Sequence, residues 1–349
     1  MGCMAIQLHQ SFTHAMIILA LIVMSSCSLG VAPDGAPSDS SSPIPLILGI
    51  QTAPVAAVPI IAYERGYFKE EGLDVDLQEF TAGKFALQAL LSGSVDMATP
   101  AEVPPTLALL QGHSGKFVII AQGVKSTDGE VRMVVRSDST SDSPNDYFTS
   151  KKRRIATSFG GGPEFFTYDF LNRYNISRDN VDLLNLKPED MPAALSSGSV
   201  DAVAIFEPFA YFAENLTKGS VSFHDDSLYS ELYVFAVSTA FMEKSPPDAP
   251  DRILRALIKS ENFIADDPEG SKDIVSRYTH LDRGVLDAIW DSFEFKVVLG
   301  SSLVDYMARE ATWARDTGKV PNDAVLPEAS VFIDSAPLIR VRPASVSLD

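Results

Sequence analysis

Beyond Cys27 the 349-residue chain has no cysteine, and its only other one is Cys3. A body without thiols rules out a disulfide scaffold, a thiolate metal site and a cysteine nucleophile. Basic residues are scarce as well. Against 46 Asp and Glu stand 28 Lys and Arg, a formal charge of −18, which leaves no positive stripe to neutralise a phosphate backbone. Nucleic acid is therefore not an expected partner. His113, His224 and His280 have no ligand-type neighbour three or four residues away, so no metal site and no cofactor is expected. The chain contains neither a Gly-x-Ser-x-Gly elbow nor a Gly-Lys-Ser/Thr phosphate loop. What it does have is 46% hydrophobic residues, enough for a large folded core.

Residues 15–24, Ala-Met-Ile-Ile-Leu-Ala-Leu-Ile-Val-Met, fall short of the roughly 20 needed to span a bilayer and suit a signal-peptide core instead. The next residues, Ser25-Ser26-Cys27, complete a stretch that resembles the lipobox of bacterial lipoproteins. That resemblance implies removal of residues 1–26 and lipidation of Cys27. Met24 stands where the pattern usually has Leu, and residues 1–14 hold no Lys or Arg, so a plain secretory leader stays open. An acylated Met1-Gly2-Cys3 start is set aside because position 6 is Ile6 rather than Ser or Thr. From Ser28 to Pro43 the chain is mostly Ser, Pro, Gly, Ala and Asp. Such a composition cannot offset its ordering entropy by burial. Residues 27–44 are therefore expected to be a flexible tether spanning roughly 20 Å.

In the body, strand-like apolar runs alternate with helix-period segments. Leu46–Ile50, Leu73–Phe80, Phe117–Ala121, Val131–Val135, Arg154–Phe159, Val200–Phe206 and Leu232–Val237 read as strands, and Pro59–Arg65, Lys84–Leu91 and Pro163–Tyr174 as helices. From Asp251 onward the period is helical. Ile253, Leu257 and Ile264 share a face, Val285, Ile289 and Phe293 continue it, and Leu303–Thr317 adds a last helix. The pattern predicts an α/β body closed by a helical C-terminal section. An internal repeat orders it. Ala89–Asp96 (Ala-Leu-Leu-Ser-Gly-Ser-Val-Asp) recurs as Ala194–Asp201 (Ala-Leu-Ser-Ser-Gly-Ser-Val-Asp), with seven of eight positions identical and Gly93 and Gly198 105 residues apart. Each copy reads as helix end, glycine stop and strand start, because glycine adopts positive φ past a helix C-terminus without a Cβ clash. Two lobes of related construction follow.

Gly66-Tyr67-Phe68-Lys69-Glu70-Glu71-Gly72-Leu73-Asp74-Val75 resembles the signature of the nitrate, sulfonate and taurine substrate-binding proteins of ABC importers, a family that includes thiamine-pyrimidine binders. Ala89–Ala98 is similar to a second element of that family, Phe206-Glu207-Pro208 to its aromatic, acidic, proline turn, and Pro268-Glu269 to its late helical region. The segment Asp146–Lys152 lacks the family's glycine, and Phe206 stands where some members carry Trp. The resemblance implies a periplasmic-binding-protein-like (type II) fold, two α/β lobes joined by a two-strand hinge. Its expected parts are a first lobe of 45–136 plus 238–335, a second of 137–237 and a tail of 336–349. The crossings are placed near Val135–Asp138 and Phe235–Thr239, where strands enter Ser- or Thr-rich turns.

Ligands of open α/β sheets bind beyond the carboxyl ends of strands. In the second lobe Ser158 leads into Gly160-Gly161-Gly162, followed by Pro163 at a helix start. Glycines there let N–H groups converge on an anion, aided by the helix dipole. In the first lobe the candidates are Gln51, Thr52, Ala53, Gly83 and Thr99, with Lys84 a further cation or a solvated charge. Glu102, Glu207 and Phe206 complete the set. A buried carboxylate facing an anion is costly unless paired. Glu102 and Glu207 therefore either point away or accept from an amino group, as on an aminosulfonate or aminopyrimidine. The expected function is that of a non-enzymatic, monomeric, extracytoplasmic receptor held to the membrane through Cys27. It captures a small anionic or zwitterionic solute and delivers it to an ABC permease. The alternatives are a thiamine-pyrimidine precursor binder and a small enzyme on the same fold, of the menaquinone-pathway dehydratase type.

Overall fold

The computed structural model describes residues 42–127, 129–138, 143–225 and 228–348. The leader, Cys27 and the tether up to residue 41 lie outside the described residues. Among the described residues there are twelve strands, β1 (Ile44–Gln51), β2 (Leu73–Phe80), β3 (Met97–Ala98), β4 (Phe117–Ser126), β5 (Arg132–Val135), β6 (Arg153–Thr157), β7 (Val181–Asn185), β8 (Ala202–Ile205), β9 (Val221–Phe223), β10 (Leu232–Ser238), β11 (Phe293–Gly300) and β12 (Val346–Ser347). They make a seven-stranded sheet, β12-β11-β4-β10-β3-β1-β2, and a five-stranded sheet, β7-β6-β8-β5-β9.

The two sheets repeat one plan. β1 pairs in parallel with β2 and β3, and β6 with β7 and β8. The fourth strand is antiparallel in both: β10 against β3, and β5 against β8. The repeated octapeptide occupies the same place in each. Gly93 and Gly198 both have φ of 79° and end the helices Gly83–Leu91 and Met191–Ser197. Asp96 then accepts from the N–H of Ile47 on β1 at 3.0 Å, and Asp201 from the N–H of Arg154 on β6 at 2.9 Å.

The chain passes from the larger sheet to the smaller between β4 and β5 and returns between β9 and β10. Both crossings lie upstream of Val135–Asp138 and Phe235–Thr239, where the sequence places them. The reason is that β5 and β10 each pair in the sheet being entered, whereas both read from sequence as last strands of the lobe being left. The stretch after Ile289 also differs from expectation. The helix Arg283–Ile289 stops there, and Phe-Glu-Phe-Lys-Val-Val-Leu switches to period two as β11, pairing Phe293 with Ser126 and Phe295 with Val124 on the edge of β4. The expected tail is folded. Leu338 is buried, Arg340 pairs with Asp251 at 2.6 Å, and β12 extends the sheet beside β11.

Helices cover both faces. The helix Ala249–Asp266 buries Ile253, Leu254, Leu257 and Ile264 at helical spacing in the core of the larger sheet. The helix Ser301–Asp316 follows β11 yet packs Trp313 against Phe165 of the other sheet's core, with ring centroids 5.4 Å apart. No helix among the described residues is long and apolar enough to cross a membrane.

Candidate functional site

The carboxyl ends of β1 and β6 face one small space. Gln51, Ala82, Gly83, Lys84, Ala101 and Pro104 line it from one side, Ser158, Gly161, Gly162, Pro163 and Phe206 from the other, with Glu231 and Tyr233 at the return crossing. Its volume of about 30 Å³ has room for one or two waters. A larger solute does not fit the space in this form.

The first wall is built on Gln51, the last residue of β1. Its Oε1 accepts from the N–H of Gly83 at 3.0 Å and so holds the start of the helix Gly83–Leu91. A Cβ at Gly83 would approach the Cα of Pro100 to 2.8 Å, so only glycine lets this helix sit against the Thr99–Ala101 turn. The other end of the Gln51 amide, Nε2, is buried without a hydrogen-bond partner. Lys84 crosses the gap. Its ammonium donates to Ser158 Oγ at 2.8 Å and to the Phe159 carbonyl at 2.9 Å, and burial lowers its pKa.

The second wall is the glycine loop before the helix Gly162–Arg173. Gly160 has φ of 77°, and its N–H donates to Glu164 Oε2 at 2.8 Å; Glu164 is in turn paired with Lys319 at 2.6 Å. The N–H groups of Gly161 and Gly162 have no hydrogen-bond partner among the described residues. A Cβ on Gly162 would fall inside the carboxyl group of Glu231. The glycine thus permits a close approach, and the seat expected for an anion from outside is filled by the protein's own acid.

Glu231 belongs to a buried network of acids and tyrosines. Tyr233 donates to Glu231 Oε2 at 2.6 Å, and Tyr229 lies 3.5 Å from Oε1 while donating to Glu102 Oε1 at 2.7 Å. Glu102 Oε2 accepts from the Leu232 N–H at 2.7 Å, and Glu310 from Thr106 at 2.6 Å. Glu130 reaches Tyr233 at 3.5 Å. Burial, reinforced by like charge, holds Glu102 and Glu130 well above the usual carboxylate range. The same causes push Glu231 up to about 8 and Glu310 to about 7. Glu207 is handled differently. It pairs with Arg132 at 2.7 Å and accepts from the Tyr211 N–H at 2.9 Å, and burial still raises its pKa. Among the described residues no group of three or more His, Cys, Asp or Glu is placed to hold a metal ion.

Of the residues singled out from sequence, the structure brings Gln51, Gly83, Lys84, Ser158, Gly161, Gly162 and Phe206 to the same space. It places the others outside. Thr52 faces Glu79 at 3.3 Å on the surface, Ala53 is core at the start of a 3-10 turn, and Thr99 is buried within the turn that supports Gly83. Gly160 shapes the loop but lines a neighbouring groove. Glu102 and Glu207 are turned into the network and onto Arg132, so neither lines the space. Glu231 and Tyr233 went unnoticed in the sequence. The available signal was an acid set between two tyrosines at the entrance to a strand that is buried throughout.

Residues 43–278 match the model of the NMT1-like family. Over 137 residues, 39% of each chain, the protein is 28% identical to the formylaminopyrimidine-binding protein of Halalkalibacterium halodurans. Several solved structures share its fold. The periplasmic aliphatic sulphonate binding protein SsuA from Escherichia coli superposes with a TM-score of 0.69 at 21% identity, over 84% of this chain and 93% of that one. The periplasmic nitrate-binding protein NrtA from Synechocystis PCC 6803 gives 0.67 at 15% identity, over 86% and 89%. The family match extends over well more than half of the sequence, and the chain belongs to the NMT1-like family.

Proposed function

We propose that this chain is an extracytoplasmic solute-binding protein that captures one small anionic or zwitterionic solute between its two sheets and delivers it to an ABC permease. The observation that carries the reading is the single space lined by Gln51 and Gly83 from one sheet and by Ser158, Gly161 and Gly162 from the other, with Lys84 bridging them. The sulphonate- and nitrate-binding proteins that share the fold support the solute class and the location outside the cytoplasm. A solute touching both walls is fully bound only when they close, so it shifts an open to closed equilibrium by its differential affinity. A swing from 1:99 to 99:1 takes about 5.5 kcal/mol. The closed shape is what the permease reads. No bond is made or broken in this cycle, the protein acts as a monomer, and Cys27 is the residue through which it is tethered to the membrane.

The test is a thermal-shift panel of nitrate, taurine, alkanesulfonates, bicarbonate, aromatic carboxylates and aminopyrimidines. At 100 times its Kd a true ligand adds about 2.7 kcal/mol of stability. Saturable stabilisation by at least one member, recovered unchanged after incubation, is the expected outcome. No stabilisation by any member, or chemical conversion of one, contradicts the reading.

A further inference from the structure

We propose that Glu231 is the specificity-determining residue of this pocket, and that it receives an amino, ammonium or amidine N–H group, so that the site takes amino-bearing solutes and discriminates against simple anions. The proposal rests on the solute-binding reading and sharpens its ligand class.

Three features of the space carry it. First, the Glu231 carboxyl lies against Gly162, at the positive end of a 12-residue helix. That is where an incoming anion would otherwise sit. An outside anion there would meet a like charge whenever Glu231 is ionised. Second, the two oxygens of Glu231 are unequally served. Oε2 accepts from Tyr233 at 2.6 Å, whereas Oε1 has only Tyr229 at 3.5 Å, and the single hydroxyl proton of Tyr229 is committed to Glu102 at 2.7 Å. With Glu231 ionised, Oε1 is thus an acceptor short of a donor, in a residue that lines the space. Third, Gln51, a residue that lines the same space and is only 3% exposed, has its Nε2 buried as a donor without an acceptor. A fitting solute offers an N–H to Glu231 and an oxygen or ring nitrogen to Gln51, between the apolar surfaces of Phe206, Pro104 and Pro163.

The charged and titratable groups around Glu231 give the proposal a sign. Tyr229 and Tyr233 flank it, Glu102 approaches from the turn after β3, Glu130 from the outgoing crossing and Glu310 from the helix Ser301–Asp316. Lys84, the cation lining the same space, is occupied by Ser158 and Phe159. Below pH 8 the Glu231 carboxyl is largely protonated, so a cationic amino solute must displace about one proton, and its affinity rises by up to about tenfold per pH unit toward 8. An anion held by the protonated acid would show the opposite: no gain below pH 8 and a loss above it.

The experiment uses the full chain and matched probes that differ in an amino group: taurine with ethanesulfonate, 4-aminobutyrate with butyrate, and 4-aminopyrimidine with pyrimidine. Calorimetry at pH 6, 7 and 8, in two buffers of different ionisation enthalpy, reads affinity and proton release together. Tighter binding by an amino member than by its partner, with proton release for the cationic amines and at least tenfold weaker binding in Glu231→Gln, supports the proposal. Because a variant can misfold, proton release is read on the unaltered protein. Equal or tighter binding of the partner lacking the amino group, or proton uptake, overturns the role of Glu231 and leaves solute capture standing. Binding by neither member of any pair, with no hit in the wider panel, overturns both.

Discussion

Glu102 and Glu207 stand at the same point of the two repeats, each six residues after the repeated aspartate and 105 residues apart, yet the protein treats them in opposite ways. Glu207 is met by a guanidinium. Arg132 pairs with it at 2.7 Å and spans both oxygens of Glu214, at 2.7 and 3.0 Å. Glu102 is met by neutral donors, Tyr229 and the Leu232 N–H, and by a second acid, Glu310. Each repeat thus has a carboxyl at the same point, while the surroundings make one a member of an ion-pair cluster and the other a proton-holding group. The proton-holding side continues through Tyr229 and Glu231 into the pocket.

The difference is sharpest in the pH dependence of stability. Burial raises Glu102, Glu130, Glu231 and Glu310, so between the ordinary Glu value near 4.5 and about 8 the folded chain holds protons that the unfolded chain has released. Stability is then greatest at the acid end of that window and falls as pH rises, by about 1.4 kcal/mol per unit for each group fully within it. Glu71, Asp201 and Glu214, whose pKa values are lowered, act below the window and do not oppose the trend. Urea melts at pH 5.5 and 8 should show a drop of several kcal/mol, shallower in Glu102→Gln; stability rising with pH would remove the distinction between the two acids.

On the other side, Arg132→Met leaves Glu207 and Glu214 buried or half-buried without their cation. A cost of about 3–5 kcal/mol at pH 7 is expected from denaturant melts, and a loss below 1 kcal/mol would mean that Glu207 is a proton-holder too. Adjacent glycines give a smaller contrast. A Cβ on Gly161 meets only ordinary contacts, at 3.5 Å or more, while one on Gly162 collides with Glu231. Gly162→Ala should thus cost about 1–3 kcal/mol of overpacking and weaken closure, with Gly161→Ala near neutral; equal effects in thermal melts would show that Glu231 does not sit where the geometry puts it. The smallest effect is expected for Lys84→Ala, which removes two hydrogen bonds across the gap. It should weaken solute binding several-fold, about 1 kcal/mol, measured by calorimetry against an unchanged Tm.

Much of this was legible in the sequence where the signal is local. The apolar runs of β1, β6 and β8, the glycine stops at Gly93 and Gly198 and the loop before Pro163 are each set by neighbours in the chain. What escaped depends on partners far away. Phe293 continues the spacing of Val285 and Ile289, so helix and strand were both compatible with it; the open edge of β4, more than 160 residues earlier, decided for strand. β5 and β10 look like ordinary strands, and only their pairing shows which sheet they join. Glu231 becomes a pocket residue because the return crossing lays Tyr229 on Glu102, 127 residues away, and brings the acid against Gly162. No single stretch of sequence contains that arrangement.

Solute capture between the sheets is tested most directly by a distance across the gap. Since the body has no cysteine of its own, Gln88→Cys and Lys187→Cys, both at exposed positions on opposite sides, can carry spin labels once Cys3 and Cys27 are replaced by serine. Pulsed electron resonance, with and without a saturating panel hit, should show the distribution narrowing to its short end when solute is bound. A distribution that stays the same while calorimetry records stoichiometric binding would mean that the solute is held elsewhere and that the sheets do not close on it.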